Sequence, residues 1–276
     1  MKPLTRSVLV AGLLSLSLAA CNKKEATDSN STADAQQNIQ YVTYSDQVGV
    51  DMETAFDEGI QNANNGVMVP MNGVVLGPCV TITLTQNGNL KTLTIDFGSQ
   101  GCLCNDGKTR KGKLIATAAN FNTLNVLRTL TTENYYVNDY HIEGTITRNI
   151  TRDISDHSRE AQIVENLTIT NPGNTVVYTR SGTLTRIYDY NTPGTPIDNT
   201  LTTWGQVNIT RPNGNQITRV VDQATPLFYK NSCHQFVSGI AHITTNNHNY
   251  TIDFGNGACD DVATVSNGTT TWTINL

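Results

Sequence analysis

From Val80 onward the chain alternates apolar and polar residues. Val80, Ile82 and Leu84 interleave with Thr81, Thr83 and Thr85; Leu93, Ile95 and Phe97 interleave with Thr92, Thr94 and Asp96. Successive side chains of a strand point to opposite faces, so a period of two reads as strands with one dry face and one wet face. The same reading covers residues 111–118, 127–137, 140–152, 160–170, 175–190, 201–210, 216–222, 236–245, 248–254 and 269–276. Turn signals separate several of them, among them Asn87-Gly88, Asn138-Asp139, Asn171-Pro172-Gly173-Asn174 and Asn191-Thr192-Pro193-Gly194. Strands joined by short turns pair with their sequence neighbours, which predicts an antiparallel meander. Its dry faces must be covered. The expected fold is therefore all-β, either a sandwich or a strongly curled, incompletely closed barrel.

One stretch breaks the alternation. Met52, Phe56 and Ile60 recur at a spacing of four, with Asp51, Glu53, Asp57 and Glu58 between them. This predicts a short N-terminal helix over 51–60, with Asp51 as its N-cap, packed on the sheet through its apolar stripe.

The first forty residues follow neither period. Lys2 and Arg6 precede an apolar run, Ser7 to Leu18, that is too short to cross a bilayer as a helix. The run ends in Leu18-Ala19-Ala20-Cys21, which resembles a bacterial lipobox. That resemblance implies cleavage before Cys21 and acylation of its thiol, palmitate included, so that the mature protein is held at a membrane by lipid. Two or more acyl chains anchor stably. Residues 22–40 contain one large apolar residue, Ile39, too little to offset their ordering entropy, and read as a flexible tether. The chain thus divides into a signal peptide (1–20), a lipidated cysteine with its tether (21–40) and a single β-rich domain (41–276). Asn22 stands where lipoprotein sorting rules disfavour aspartate for outer-membrane export, so the outer membrane is the expected location, with the periplasmic and surface-facing sides both open.

Charge narrows the partners. The chain carries 18 basic and 23 acidic residues, a net charge of −5, and loss of Lys2 and Arg6 with the signal peptide takes it to −7. The short run Arg110-Lys111-Gly112-Lys113 is no nucleic-acid footprint. Five cysteines follow Cys21: Cys79, Cys102, Cys104, Cys233 and Cys259. An exported chain meets an oxidising compartment, so disulfides are expected, and an odd number leaves one thiol over. The spacing of Cys102 and Cys104, and of Cys233 beside His234, matches no zinc site, and no metal or other cofactor is expected.

A phrase is written twice: TIDFGSQGC over 94–102 and TIDFGNGAC over 251–259. Each copy closes a predicted hairpin that a cysteine opens, near 79–102 and 233–259. If Asn87-Gly88 forms a two-residue loop, Cys79 stands opposite Asp96 at the strand end leading to Cys102. The pairs Cys79–Cys102 and Cys233–Cys259 follow, with Cys104 free; Cys79–Cys104 is the alternative. Asp96 and Asp253 lie on the face opposite Ile95/Phe97 and Ile252/Phe254. They read as structural turn residues that accept hydrogen bonds from the exiting backbone, where Gly98 and Gly255 allow a sharp exit. Two calcium loops, built by adding Asn105-Asp106 and Asp260-Asp261, are the competing reading, without an established spacing. Turn amides orphaned by loss of either aspartate are expected to cost about 1–3 kcal/mol.

The order of lipobox, polar tether, TIDFG…GC…DGKTRKGKL, Thr-rich meander and terminal TIDFGNGACDDVATVSNGTTTWTINL resembles the uncharacterised lipoproteins common in Bacteroidota-type bacteria. Cys104 is the departure from that pattern. The resemblance implies lipid attachment and a β domain, and carries no activity.

No G-x-S-x-G, H-E-x-x-H or phosphate loop is present, and the five histidines are scattered. His242 and His248 flank the Asn246-Asn247 turn and could approach each other. The expectation is a binding or structural module of the cell envelope, not an enzyme, with a glycan, a lipid or a protein as the partner besides the membrane and with no nucleic acid. A hydrolase acting on envelope or extracellular glycan is the alternative, since paired carboxylates are set in three dimensions. Tyr135, Tyr136, Tyr140, Tyr178, Tyr188, Tyr190, Trp204 and Tyr229 either line a ligand surface or fill the core.

Overall fold

The computed structural model describes residues 28–64, 73–155, 157–173, 177–192, 195–245 and 248–276. The signal segment, Cys21 and the Asn246-Asn247 turn lie outside the described residues. Among the described residues one α-helix, α1 (Asp28–Asn64), is followed by β1 (Thr81–Asn87), β2 (Leu90–Asp96), β3 (Cys102–Leu103), β4 (Thr109–Ala118), β5 (Leu127–Val137), β6 (Tyr140–Ser155), β7 (Ser158–Thr170) and β8 (Val177–Asp189). Then come β9 (Thr200–Thr210), β10 (Gln216–Val221), β11 (Leu227–Lys230), β12 (Gln235–Thr245), β13 (His248–Asn256), β14 (Val262–Ser266) and β15 (Thr271–Asn275).

All fifteen strands of the described residues belong to one antiparallel sheet laid down almost in sequence order, from β1 at one end to β15 at the other. It is a meander and not a clean barrel, which removes the sandwich alternative. β10 and β11 share one lane, since both pair with β9 and β12. The meander was legible because each strand keeps its period: β8 reads Tyr178, Arg180, Leu184, Arg186 and Tyr188 buried, all of one parity. β3, β11 and β14 escaped sequence reading; each is five residues or fewer, too short for a period to register.

Asn38–Leu276 make up one compact unit. Within it, the α1 residues from Asn38 onward make hydrogen bonds or ion pairs with β4, β6, β8, β10 and β11. From β4 to β10 there are six strand spacings, about 29 Å if flat. A helix is only about 10–12 Å across. The sheet must therefore curl around the helix. Met52, Val50, Val48 and Ala55 are buried together with Ser45, Asp46, Asp51, Glu53 and Glu58.

This enclosure explains two departures from the sequence reading. The helix is far longer than 51–60, and Asp51 lies inside it, bonded by Gln47 at 2.9 Å, instead of capping its start. Residues 28–40, read as tether, are helical. Ile39 is buried, and so is Asn38, whose Oδ1 accepts from Arg211 at 2.8 Å. Nucleation is the costly step of helix formation, and a packed segment supplies it, so the Ala- and Gln-containing stretch before Asn38 can propagate as helix.

The β1–β2 hairpin turns at Gly88-Asn89, not at Asn87-Gly88: Asn87 pairs with Leu90, and Gly88 takes φ +58°, which glycine adopts freely. The register moves by two, so Thr81, not Cys79, stands opposite Asp96. The turn at Asn138-Asp139 is as expected, with both residues at positive φ as a type I′ turn requires.

Candidate functional site

The two corner phrases are built alike. Ile95, Phe97, Ile252 and Phe254 are all buried. Asp96 Oδ1 accepts from the N–H of Gly98 at 2.8 Å, and Asp253 Oδ1 from Gly255 at 2.9 Å. Gly98 and Gly255 sit at φ +73° and +89°, where a side chain is disfavoured. Cys79–Cys102 and Cys233–Cys259 are at disulfide distance, with Cα separations of 5.7 and 5.4 Å. The shifted register does not disturb the first pair, because β3 carries Cys102 back onto Arg110 of β4. Cys104 is the free thiol among the described residues; it is buried, and burial pushes its pKa up. Among the described residues, no group of three or more His, Cys, Asp or Glu could hold a metal ion. His242 and His248 do not meet: His242 pairs with Thr251 and His248 with Thr245, which puts their side chains on opposite faces. His242 lies 3.5 Å from Asp222 instead.

What sequence reasoning missed is a charged seam between helix and sheet. Asp46 faces Arg180 at 2.6 Å and Arg219 at 3.0 Å, and Arg180 also donates to Glu165 of β7 at 2.8 Å. Glu53 receives Arg186 and the hydroxyl of Tyr188. Asp57 receives Arg148, whose guanidinium stacks on Tyr188 at 3.7 Å and donates to the Tyr190 hydroxyl at 3.1 Å. Asp51 takes Lys108, with Arg110 at 3.7 Å, and Arg110 forks onto Asp106 at 2.7 and 2.6 Å. Asp46, Glu53 and Asp57 stand at helical spacings of seven and four and so share one stripe. Burial opposes the charge of Asp46, but Arg219 and Arg180 outweigh it and hold its carboxyl below the usual range. The signal was present in the sequence. Arg180, Arg186, Arg148 and Arg219 are in phase with the buried aliphatics of their own strands. Tyr135, Tyr178, Tyr188 and Tyr229 from the aromatic set are likewise buried.

Glu58 is used differently. Its carboxylate accepts from the N–H groups of Val74 at 3.1 Å, Val75 at 2.9 Å and Leu76 at 3.2 Å. Burial pushes its pKa up to about 7 in spite of those bonds. Glu53, Asp57 and Glu58 line a narrow recess with Tyr188 and Tyr190.

Beside that recess a wider cleft opens between the C-terminal part of α1, the 121–124 loop and strands β5 to β7, with a volume of about 320 Å³. Phe56, Phe121 and Tyr190 form its apolar part, with Phe56 and Phe121 edge to face at 5.9 Å. Arg128, Arg148 and Arg159 form its charged part. Arg148 is answered by Asp57, and Arg159 by Asp153 at 2.7 Å. Arg128 is not answered by a carboxylate among the described residues. It is 2% exposed and donates to the carbonyls of Phe121 at 3.2 Å and Thr123 at 2.5 Å. Its Nη1 is buried and has no hydrogen-bond partner among the described residues. Burial, and then the neighbouring Arg148, lower the Arg128 pKa.

No protein-family model, no curated protein and no solved structure matches this chain.

Proposed function

We propose that the protein is a lipid-anchored lipoprotein of the bacterial cell envelope, at the outer membrane, and that its domain is a binding module without catalysis. The anchor rests on Lys2, Arg6, the apolar run and Leu18-Ala19-Ala20-Cys21, and the Bacteroidota-type lipoprotein resemblance is consistent with it. One observation carries the non-catalytic reading: of the four carboxylates lining the recess, three are already committed, which leaves Asp189 alone among the described residues. Glu53 is bonded to Arg186 and Tyr188, Asp57 to Arg148, and Glu58 to three backbone amides. A glycan hydrolase needs one carboxyl free to give a proton and another free to receive a water or sugar carbon. The helix and its ion pairs fill the interior of the curled sheet, which favours a ligand held in a surface cleft over a lipid carried inside. A small molecule in the Arg128 cleft, a class outside the glycan, lipid and protein expected from the sequence, is supported best.

Membrane partition tests the anchor. Wild-type protein is expected in the membrane fraction, acylated at Cys21. Cys21→Ser is expected to be released, or to accumulate as uncleaved precursor. A Cys21→Ser protein that stays membrane-bound at the processed size overturns the lipoprotein reading.

A further inference from the structure

We infer that the cleft beside Arg128 binds a small organic carboxylate, its anionic head on the Arg128 guanidinium and its apolar body against Phe56, Phe121 and Tyr190. The inference deepens the binding-module reading and rests on it. A guanidinium presents five N–H donors in a fixed fork, and a carboxylate matches two of them at once. At Arg128, Nε and Nη2 are spent on the Phe121 and Thr123 carbonyls, which fix the orientation of the fork and the course of the loop together. Nη1 is left without a partner among the described residues, inside a wall of the cleft. A buried donor without an acceptor is costly, and a charged one more so. For five other buried arginines the chain supplies a carboxylate: Arg110, Arg148, Arg180, Arg186 and Arg219 each face one. At Arg128 the chain supplies only the Phe121 and Thr123 carbonyls, and the residue lines the cleft instead.

The charge count selects the class of anion. With Arg148 set against Asp57 and Arg159 against Asp153, Arg128 leaves one positive charge over. A carboxylate balances it. A phosphate dianion would bring a second negative charge beside Asp57. The rings of Phe56, Phe121 and Tyr190 offer apolar and edge-to-face contact, so the carboxylate should carry a ring or a short hydrocarbon. The volume of about 320 Å³ suits a molecule of that size.

The test titrates detergent-solubilised mature protein with 3-phenylpropionate, its neutral alcohol 3-phenylpropanol, and phenyl phosphate, followed by calorimetry and by amide chemical shifts. The expected result is saturable binding of 3-phenylpropionate at millimolar concentration or below, with shifts at residues 121–128 and 148–150. The alcohol is expected to bind at least about tenfold more weakly, because a charge-assisted pair is worth about that much, and phenyl phosphate also more weakly than the carboxylate, because its second negative charge stands beside Asp57. Arg128→Gln is expected to lose at least about tenfold toward the carboxylate and nothing toward the alcohol. Arg128 also holds the loop, so Leu124→Trp, at an exposed position on the cleft wall, provides a second variant that leaves the guanidinium in place; it is expected to block binding with an unchanged melting temperature. Equal binding of acid and alcohol, tighter binding of phenyl phosphate, no saturable binding of 3-phenylpropionate, or binding that survives Leu124→Trp overturns the inference. None of these outcomes touches membrane partition, so a failed ligand and a failed lipoprotein reading are told apart.

Discussion

Asp46 and Asp253 put one side chain to two uses. Asp46, on the buried side of α1, is 1% exposed and holds Arg180 and Arg219. Asp253 lies on the exposed face of β13 and accepts one N–H, from Gly255 at 2.9 Å. At the corner, water competes for both partners, so losing the aspartate exchanges one hydrogen bond for another. In the seam no water reaches either partner. Removing one leaves a buried charge behind, and that penalty, more than the attraction itself, makes the pair obligatory. The seam therefore specifies how α1 sits in the curled sheet, whereas the corners shape the exit of two strands.

The largest expected effect breaks the seam. Asp46→Ala strands Arg219 and leaves Arg180 with Glu165 and the Ser45 hydroxyl, and is expected to destabilise by about 3–5 kcal/mol in urea unfolding. Adding Arg219→Leu removes the stranded charge, so the double variant is expected to recover a large part of that loss. The coupling in the double-mutant cycle measures it. A loss below about 1 kcal/mol for Asp46→Ala would mean that the seam is as wet as the corners.

The same contrast explains what was legible in the sequence. Strand order follows from period-two runs and turn residues, and those are local. The corners follow from a repeated phrase, with Asp96, Gly98, Asp253 and Gly255 carrying the conformations expected of them. The seam joins residues far apart in sequence, Asp46 with Arg180 and Glu53 with Arg186 by more than a hundred positions. Such pairing depends on sheet curvature, which no local pattern encodes. What the sequence did hold was parity. Ile217, Arg219 and Val221 share a face on β10, as do Ile146, Arg148 and Ile150 on β6, and all six are buried. A rule that sends charge outward hides them. Arg128 was missed for the same reason, being in phase with Leu130, and its cleft also needs the 121–124 loop to fold back onto the guanidinium.

Glu58 sharpens the comparison, because it does for buried amides what Asp96 does for an exposed one. Its pKa stands at about 7 in the fold against 4.5 for an unperturbed glutamate. An acid held above its unfolded value favours folding when protonated. That contribution is complete below about pH 4.5 and is lost as the pH rises to about 7. Relative to Glu58→Gln, which does not titrate, the wild-type protein is expected to lose about 3 kcal/mol of unfolding free energy across that window. Referring each measurement to the variant cancels the opposite trend from Asp46, Asp106 and Glu165, whose pKa values are lowered. A flat difference between the two proteins from pH 4.5 to 7 would show that the three amides hold Glu58 ionised.

The corner aspartates should give the smallest effect. Complete loss of a buried amide's acceptor costs about 1–3 kcal/mol, but the bonds from Gly98 and Gly255 are exposed, so water replaces the carboxylate. Asp96→Ala and Asp253→Ala are therefore expected to cost about 0.5–1 kcal/mol each, below the range that the sequence alone suggests. Asp96→Asn and Asp253→Asn keep an acceptor oxygen and are expected to sit near wild type. The two corners are far apart in sequence and built on different hairpins, so the two alanine variants should add. Melting with chelator and again with millimolar calcium completes the test. The wild-type protein is expected to melt at one temperature in both, because each aspartate is occupied by its own backbone. A rise of several degrees with calcium, absent from either alanine variant, would make the corner a cation site. It would also erase the distinction drawn between Asp253 and Asp46, since both would then be aspartates held by a charge.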